Sequence, residues 1–172
     1  MENFSNSILL PENLPEIESK TFNGLDKKYL KITLIRIGII FLFLLGGFIA
    51  FLLSTEEITN LILFLICLTL FLIISFSVLI SILGFPKKGY LVREKDVSFQ
   101  RGLITYKLTT VPFNRIQHVE VNQGILAKLF KLSSVKIYTA GGSSSDLSIP
   151  GLLVSDAQKL KAFLSEKISE YE

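Results

Sequence analysis

A chain of 172 residues of which 49% are hydrophobic, with mean hydropathy +0.52, is too apolar for an ordinary soluble domain of its size. Its one cysteine, Cys67, excludes a disulfide within the chain, and its one histidine, His118, excludes a metal site built on two histidines. The net charge is only +3 and no basic stripe interleaves with aromatics, which argues against nucleic acid as a partner.

Residues 1–26 are polar and punctuated by Pro11 and Pro15, as expected of a flexible N-terminal segment. Residues 16–22 alternate loosely, as a short extended piece would, and Asp26 is placed to cap a following helix. Met1-Glu2-Asn3 lacks the basic start of a removable leader, so the apolar segments are expected to be retained. The first apolar run, 32–53, is broken only by Arg36. The second, 58–85, runs for 28 residues without Asp, Glu, Lys, Arg or His. As a helix it would be about 42 Å long, more than a hydrocarbon core of about 30 Å requires. The link Ser54-Thr55-Glu56-Glu57 is so short that the two helices, about 30–53 and 58–83, must be antiparallel neighbours. Residues 27–85 therefore read as a transmembrane hairpin.

Lys20, Lys27, Lys28, Lys31 and Arg36 precede or enter the first helix, and Lys87, Lys88, Arg93 and Lys95 follow the second. The link carries only Glu56 and Glu57. Basic residues flanking membrane helices stay on the cytoplasmic side, which predicts two passes with both termini inside and the link outside. Arg36 is expected to snorkel to the headgroups, with a contact to Ser75 as the alternative. Gly46 and Ala50, and Ser77 and Ser81, are small residues four apart that suit close helix approach, within the hairpin or to another copy. Cys67 reads as a lipid-facing or helix-packing residue.

After Pro86 the pattern changes to short strands at 89–94, 97–101, 106–111, 117–122, 135–140 and 146–149, with one helical turn near 125–130. Lys95-Asp96 and Gly102 mark turns, and Gly141, Gly142, Ser143, Ser144 and Ser145 form a loop. Residues 155–171 form an amphipathic helix with Ser155 or Asp156 at its N-cap and Leu160, Phe163, Leu164 and Ile168 on one face. Six or seven antiparallel strands, closed or half-closed and covered by that helix, make a compact domain over 86–172. Its expected core includes Tyr106, Leu108, Val119, Val121, Val135, Ile137, Phe163 and Ile168.

Several separated motifs then point to one family. The run Val111-Pro112-Phe113-Asn114-Arg115-Ile116-Gln117-His118-Val119, then Gln123-Gly124, Leu129-Phe130-Lys131-Leu132, Tyr138-Thr139-Ala140-Gly141-Gly142 and Ile149-Pro150-Gly151-Leu152, resembles the bacterial pleckstrin-homology-like family in its membrane-flanked, YdbS-like branch. That resemblance spans residues 27–164, because the branch also places two transmembrane helices before the domain. Lys131 stands where the family pattern usually has glycine. The resemblance implies an α+β membrane protein: a two-helix hairpin, then a pleckstrin-homology-like antiparallel β-barrel capped by a C-terminal α-helix. It implies a multi-pass protein of a bacterial cytoplasmic (inner) membrane, with no cofactor and no known ligand.

Candidate site residues follow from chemistry. Arg115 and Gln117 offer donors at a strand start, either to tie strands together or to meet a ligand. His118 reads as a structural hydrogen-bonding residue, and Gly141 and Gly142 as adaptable backbone beside it. A triad of Ser143, Ser144 or Ser145 with His118 and Asp146 lacks a nucleophile elbow, and Gly141-Gly142 lacks the lysine of a phosphate loop. No catalytic or metal residue is assigned. Residues 86–172 hold 13 Lys or Arg against 8 Asp or Glu, whereas residues 1–57 hold 5 against 7. The domain is the positive part, which suits docking on an anionic leaflet as well as it suits a solvated surface. The expected partners are the lipid bilayer, anionic lipid headgroups, and another membrane protein, either a related PH-like protein or a second copy. The sequence thus reads as a non-enzymatic binding or scaffolding module at the membrane face, with an accessory subunit of a transport or export assembly as the second reading.

Overall fold

The computed structural model describes residues 21–54, 59–140 and 146–170. Residues 1–20, 55–58, 141–145 and 171–172 lie outside them, among them most of the link, the Gly-Ser segment and the last residue of the expected C-terminal helix.

Two long helices, α1 (Lys28–Ser54) and α2 (Asn60–Gly84), follow a two-residue strand at Asn23–Gly24. Asp26 starts α1 as its position predicts: its carboxylate accepts from the Lys28 N–H at 2.8 Å and its carbonyl from the Tyr29 N–H. Pro86, in the 3-10 turn Phe85–Lys87, ends α2, since proline disfavours a helical residue before it and cannot donate to the ladder. The apolar window of each helix is wholly unburied within the chain, so this surface is left for lipid or other helices. The hydroxyls of Thr69, Ser77 and Ser81 donate to carbonyls one turn back, which leaves no free donor in hydrocarbon at those positions. Cys67 is exposed on α2.

Among the described residues seven strands make two antiparallel sheets. The first has the order β1 (Asn23–Gly24), β2 (Gly89–Val92), β3 (Asp96–Arg101) and β4 (Lys107–Pro112). A bidentate Arg93–Asp96 pair at 2.7 Å closes the β2–β3 turn. After a 3-10 turn at Phe113–Arg115 the second sheet runs β5 (Ile116–Asn122), β6 (Leu132–Thr139) and β7 (Leu147–Leu153). The short helix α3 (Ile125–Leu129) joins β5 to β6, and the Gln123 side chain donates to the Leu132 carbonyl across the insertion. Lys131 follows with φ +56°, the left-handed region that glycine enters more readily. β7 also packs on β3 and β4 without sharing their ladder, so the barrel is half-closed.

α4 (Val154–Ser169) covers the open side, with Ala157, Leu160 and Leu164 buried. Its cap differs from the sequence expectation. β7 runs directly into the helix, Leu153 occupies the N-cap, and neither Ser155 nor Asp156 bonds a first-turn N–H. The core is otherwise built from both sheets around Val97, Phe113, Val135, Ile137 and Ile149.

Three expected core residues are displaced. Val97 faces Val111 and Phe99 faces Thr109, so the inward positions of β4 are the odd ones. Tyr106, 56% exposed, and Leu108, half-buried, are therefore on the other face, because a one-residue error of parity moves every side chain across a sheet. Phe163 is 37% exposed and meets buried Phe113 edge-on at 6.0 Å, so it sits at the margin of the core. Val119, Val135 and Ile137 are buried, and Val121 and Ile168 pack partly buried against them.

The hairpin is built into the domain at both of its ends. Before it, Asn23 and Gly24 pair with Tyr90 and Gly89, which follow it. Leu25 is in the core, and the Asp26 N–H donates to the Gly151 carbonyl at 3.0 Å. Gly151, at φ +68°, lies so close beneath Tyr29 that a Cβ there would stand 2.7 Å from the Tyr29 Cβ and Cγ. Ile32, one turn into α1, is 2% exposed.

Candidate functional site

Two surfaces bring chemistry-bearing residues together. The first is the end of the second sheet where β5 starts. Ile116 pairs with Thr139, so Arg115, Gln117 and His118 stand at the sheet end where β6 finishes. Gly141 and Gly142, next but one in sequence, lie outside the described residues. A register shift between Ile116 and His118 turns both Gln117 and His118 outward, and Arg115 is exposed on the preceding turn. His118 stacks on Tyr138 with ring centroids 4.2 Å apart, and the Tyr138 hydroxyl donates to Glu120 at 3.0 Å. That hydrogen bond raises the Tyr138 hydroxyl above its ordinary range. The His118 Nε2 lies 3.8 Å from the other Glu120 oxygen.

Asp146 is engaged elsewhere. Its carboxylate accepts from the Thr139 hydroxyl at 2.6 Å and the Thr139 N–H at 2.9 Å, which lowers its pKa and ties it to the end of β6. The histidine and the aspartate that a triad would couple thus have different partners. The arrangement offers Arg115 and Gln117 as free donors beside a stacked aromatic pair, a surface suited to contact.

The second surface lies between the feet of the two helices and the domain. A cleft of about 430 Å³ is walled by Tyr29, Ile32 and Arg36 of α1, the N-terminal part of α3, and Ser134, Ser148 and Gly151 of the second sheet. Ser133, also in its wall, is 2% exposed and its hydroxyl has no partner. A second cleft, about 180 Å³, adjoins through Ser148 and holds Arg101, Lys107 and Asp146. A third, about 240 Å³, adjoins through Arg101 and holds Lys88 with Ile80, Ser81 and Gly84 of α2. Lys88 lies over the Tyr29 ring at 5.6 Å, and its pKa is lowered by desolvation first and by neighbouring Arg101 second.

Sequence reading placed Arg36 at the headgroups and missed Lys88, Arg101 and Lys107. The usable signal was apolar residues in places that build no core: Ile104 in the β3–β4 turn, and Ile125 and Leu129 on α3.

With this geometry in view, the comparisons with known proteins decide the family. The profile of the bacterial PH domain matches residues 33–168, most of the chain including both long helices. The chain belongs to the bacterial PH domain family. It is 37% identical over 76 residues to the UPF0699 transmembrane protein YdbS of Bacillus subtilis (strain 168), covering 44% of this chain and 46% of that protein. It is 25% identical over 88 residues to the UPF0699 transmembrane protein YdbT of the same organism, covering 51% of this chain and 18% of that protein. The chain thus spans less than half the length of each of these curated relatives. No solved structure matches it. A bacterial PH domain carried on two membrane-capable helices makes this a membrane protein, as the apolar runs imply.

Proposed function

We propose that this bacterial PH domain is a non-enzymatic binding module, held at the cytoplasmic face of the membrane and presenting the Arg115, Gln117 and His118 end of its second sheet to another membrane protein or a second copy. The observation that carries this is the clamp. Residues on both sides of the hairpin, Asn23 and Leu25 before it and Gly89 and Tyr90 after it, belong to one domain. A domain so held has little freedom to search solution and presents its free surface at a fixed height, which suits capture within the membrane plane. The non-enzymatic reading draws on the mutual satisfaction of His118, Tyr138 and Glu120, and on Asp146 being held by Thr139. The cytoplasmic placement draws on the basic residues at both hairpin feet.

A photo-cross-linking amino acid at Gln117, in the full chain in native membranes, should trap discrete protein adducts, whereas the same group at exposed Lys159 of α4 should not. Equal trapping at both positions, or none at Gln117, overturns the proposal. A second reading, an accessory subunit of an oligomeric transport or export assembly, draws on the open faces of α1. A Cβ at Gly38, Gly46 or Gly47 would meet nothing within 4 Å, so these small residues are left for helices outside the chain. The two readings separate if replacing Gly46 and Gly47 by leucine abolishes assembly while Gln117 adducts persist.

A further inference from the structure

The three clefts follow one another, each sharing a wall residue with the next: the first holds Arg36 of α1 and meets the second at Ser148, the second holds Lys107 and meets the third at Arg101, and the third holds Lys88 beside α2. Every ion pair among the described residues lies elsewhere, at Arg93–Asp96, His118–Glu120 and Lys167–Glu170. Four cations therefore share one row without a salt bridge, and Asp146, its one acid, is bonded to Thr139. A row of unneutralised cations with polar walls suits several anionic groups bound side by side.

The helices fix the height of this row. From Ile37 to Ser54 α1 rises about 27 Å, and from Asn60 to Ile80 α2 rises about 32 Å, each close to a hydrocarbon thickness of about 30 Å. Arg36 and Ser81 thus stand where acyl chains give way to headgroups. At that height two apolar prongs flank the hairpin. Ile104 is 77% exposed in the turn beside the third cleft, and Ile125 and Leu129, 87% and 73% exposed, form one face of α3 at the first. Neither prong packs in the core, and both stand next to a helix already in the bilayer.

We propose that this row of clefts binds the phosphate headgroups of anionic phospholipids in the leaflet at the hairpin feet, while Ile104, Ile125 and Leu129 enter the acyl region. Arg36, Lys88, Arg101 and Lys107 meet the phosphates, and the neutral side chains of Ser134 and Ser148 supply the polar walls. An anion seated between Lys88 and Arg101 offsets by its charge both the burial and the repulsion that disfavour the Lys88 cation. The site rests on the membrane-anchored reading above, but it uses none of the residues offered there for partner capture.

The test uses the full chain in micelles of a neutral detergent, exposed to equal phosphatidylglycerol and phosphatidylcholine, with retained lipid counted by native mass spectrometry. Phosphatidylglycerol should be retained selectively. The Lys88→Gln/Arg101→Gln variant should lose that selectivity by about fivefold per cation, and Arg101→Lys should keep most of it. Equal thermal midpoints of parent and variants in lipid-free micelles show that the loss is not unfolding. If that double variant does not fold, Lys107→Gln alone should lower selectivity, and unchanged selectivity overturns the site. Equal retention of the two lipids by the parent, or parental selectivity in the Gln variants, also overturns it. So does complete displacement by millimolar inorganic phosphate, which would make the row a general anion site.

The prongs have their own readout, because the chain contains no tryptophan. An Ile104→Trp fluorophore in vesicles of brominated phospholipid should be quenched, and a Lys161→Trp fluorophore on α4 should not. An unquenched Ile104→Trp fluorophore removes the prongs from the bilayer and refutes the proposal. Loss of Gln117 adducts with lipid selectivity intact would defeat only the partner-capture reading.

Discussion

The contact of Gly151 with Tyr29 is where membrane helix and domain meet most closely, and Gly151→Ala probes it in two separable ways. A side chain at φ +68° carries a left-handed penalty of about 1–2 kcal/mol. The new Cβ would also stand 2.7 Å from two Tyr29 atoms, and crowding of that kind costs about 1–3 kcal/mol when the neighbour must shift. Tyr29 cannot shift freely, because it packs on the core and the Asp26 N–H beside it is bonded to Gly151. The expected loss is about 2–5 kcal/mol, read by thermal unfolding of the full chain in detergent followed by circular dichroism. In a Tyr29→Gly background, which removes the Tyr29 Cβ as well as the ring, only the backbone part should remain, so the double-mutant cycle should show about 1–3 kcal/mol of coupling. Amide exchange at Asp26 should accelerate in Gly151→Ala. Additivity of the two substitutions, or a Gly151→Ala chain as stable as its parent, would refute the clamp.

Phe113→Ala should cost about 3–5 kcal/mol, since Phe113 is 1% exposed, and Phe163→Ala clearly less, because the latter ring is partly solvated; the same melts compare them. Gly102→Ala should disrupt the β3–β4 turn, as a Cβ there would lie 1.8 Å from the Thr105 carbonyl oxygen, and amide exchange across residues 101–107 should rise. The Asp146 pKa is depressed, so its contribution is whole above the ordinary carboxylate value of 3.8 and is lost as pH falls through the lower folded value. Amide exchange at Thr139 should therefore rise only on strong acidification, and Asp146→Asn should raise it at neutral pH.

The hairpin was legible because 28 residues without Asp, Glu, Lys, Arg or His permit few other readings, and most strands were legible from turn residues and alternation. What escaped depended on pairings far apart in the chain. β1 is two residues long and pairs across the whole hairpin, so no local period reveals it. It also makes the domain discontinuous: a fragment starting at Lys87 would lack Leu25, Tyr29 and an edge strand. The inward parity of β4 is set by its register with β3, which placed Tyr106 and Leu108 on the wrong side of the sheet. The α4 cap was misplaced because β7 passes into the helix without a loop. Arg115, Gln117 and His118 are neighbours in the chain, but alternation puts His118 on the face of buried Ile116, and only the register shift between them turns it outward. Lys88, Arg101 and Lys107 converge only through folding, and nothing in their spacing shows that they share a cleft wall.

The central claim, a PH domain clamped to a membrane hairpin on its cytoplasmic side, is tested most directly by accessibility in a Cys67→Ser background. Cysteine at Ser54 should react with an impermeant thiol reagent in intact cells, whereas cysteine at Lys136 on the outward face of the second sheet should react only after permeabilisation. The reverse pattern, or equal labelling of both in intact cells, would contradict the account.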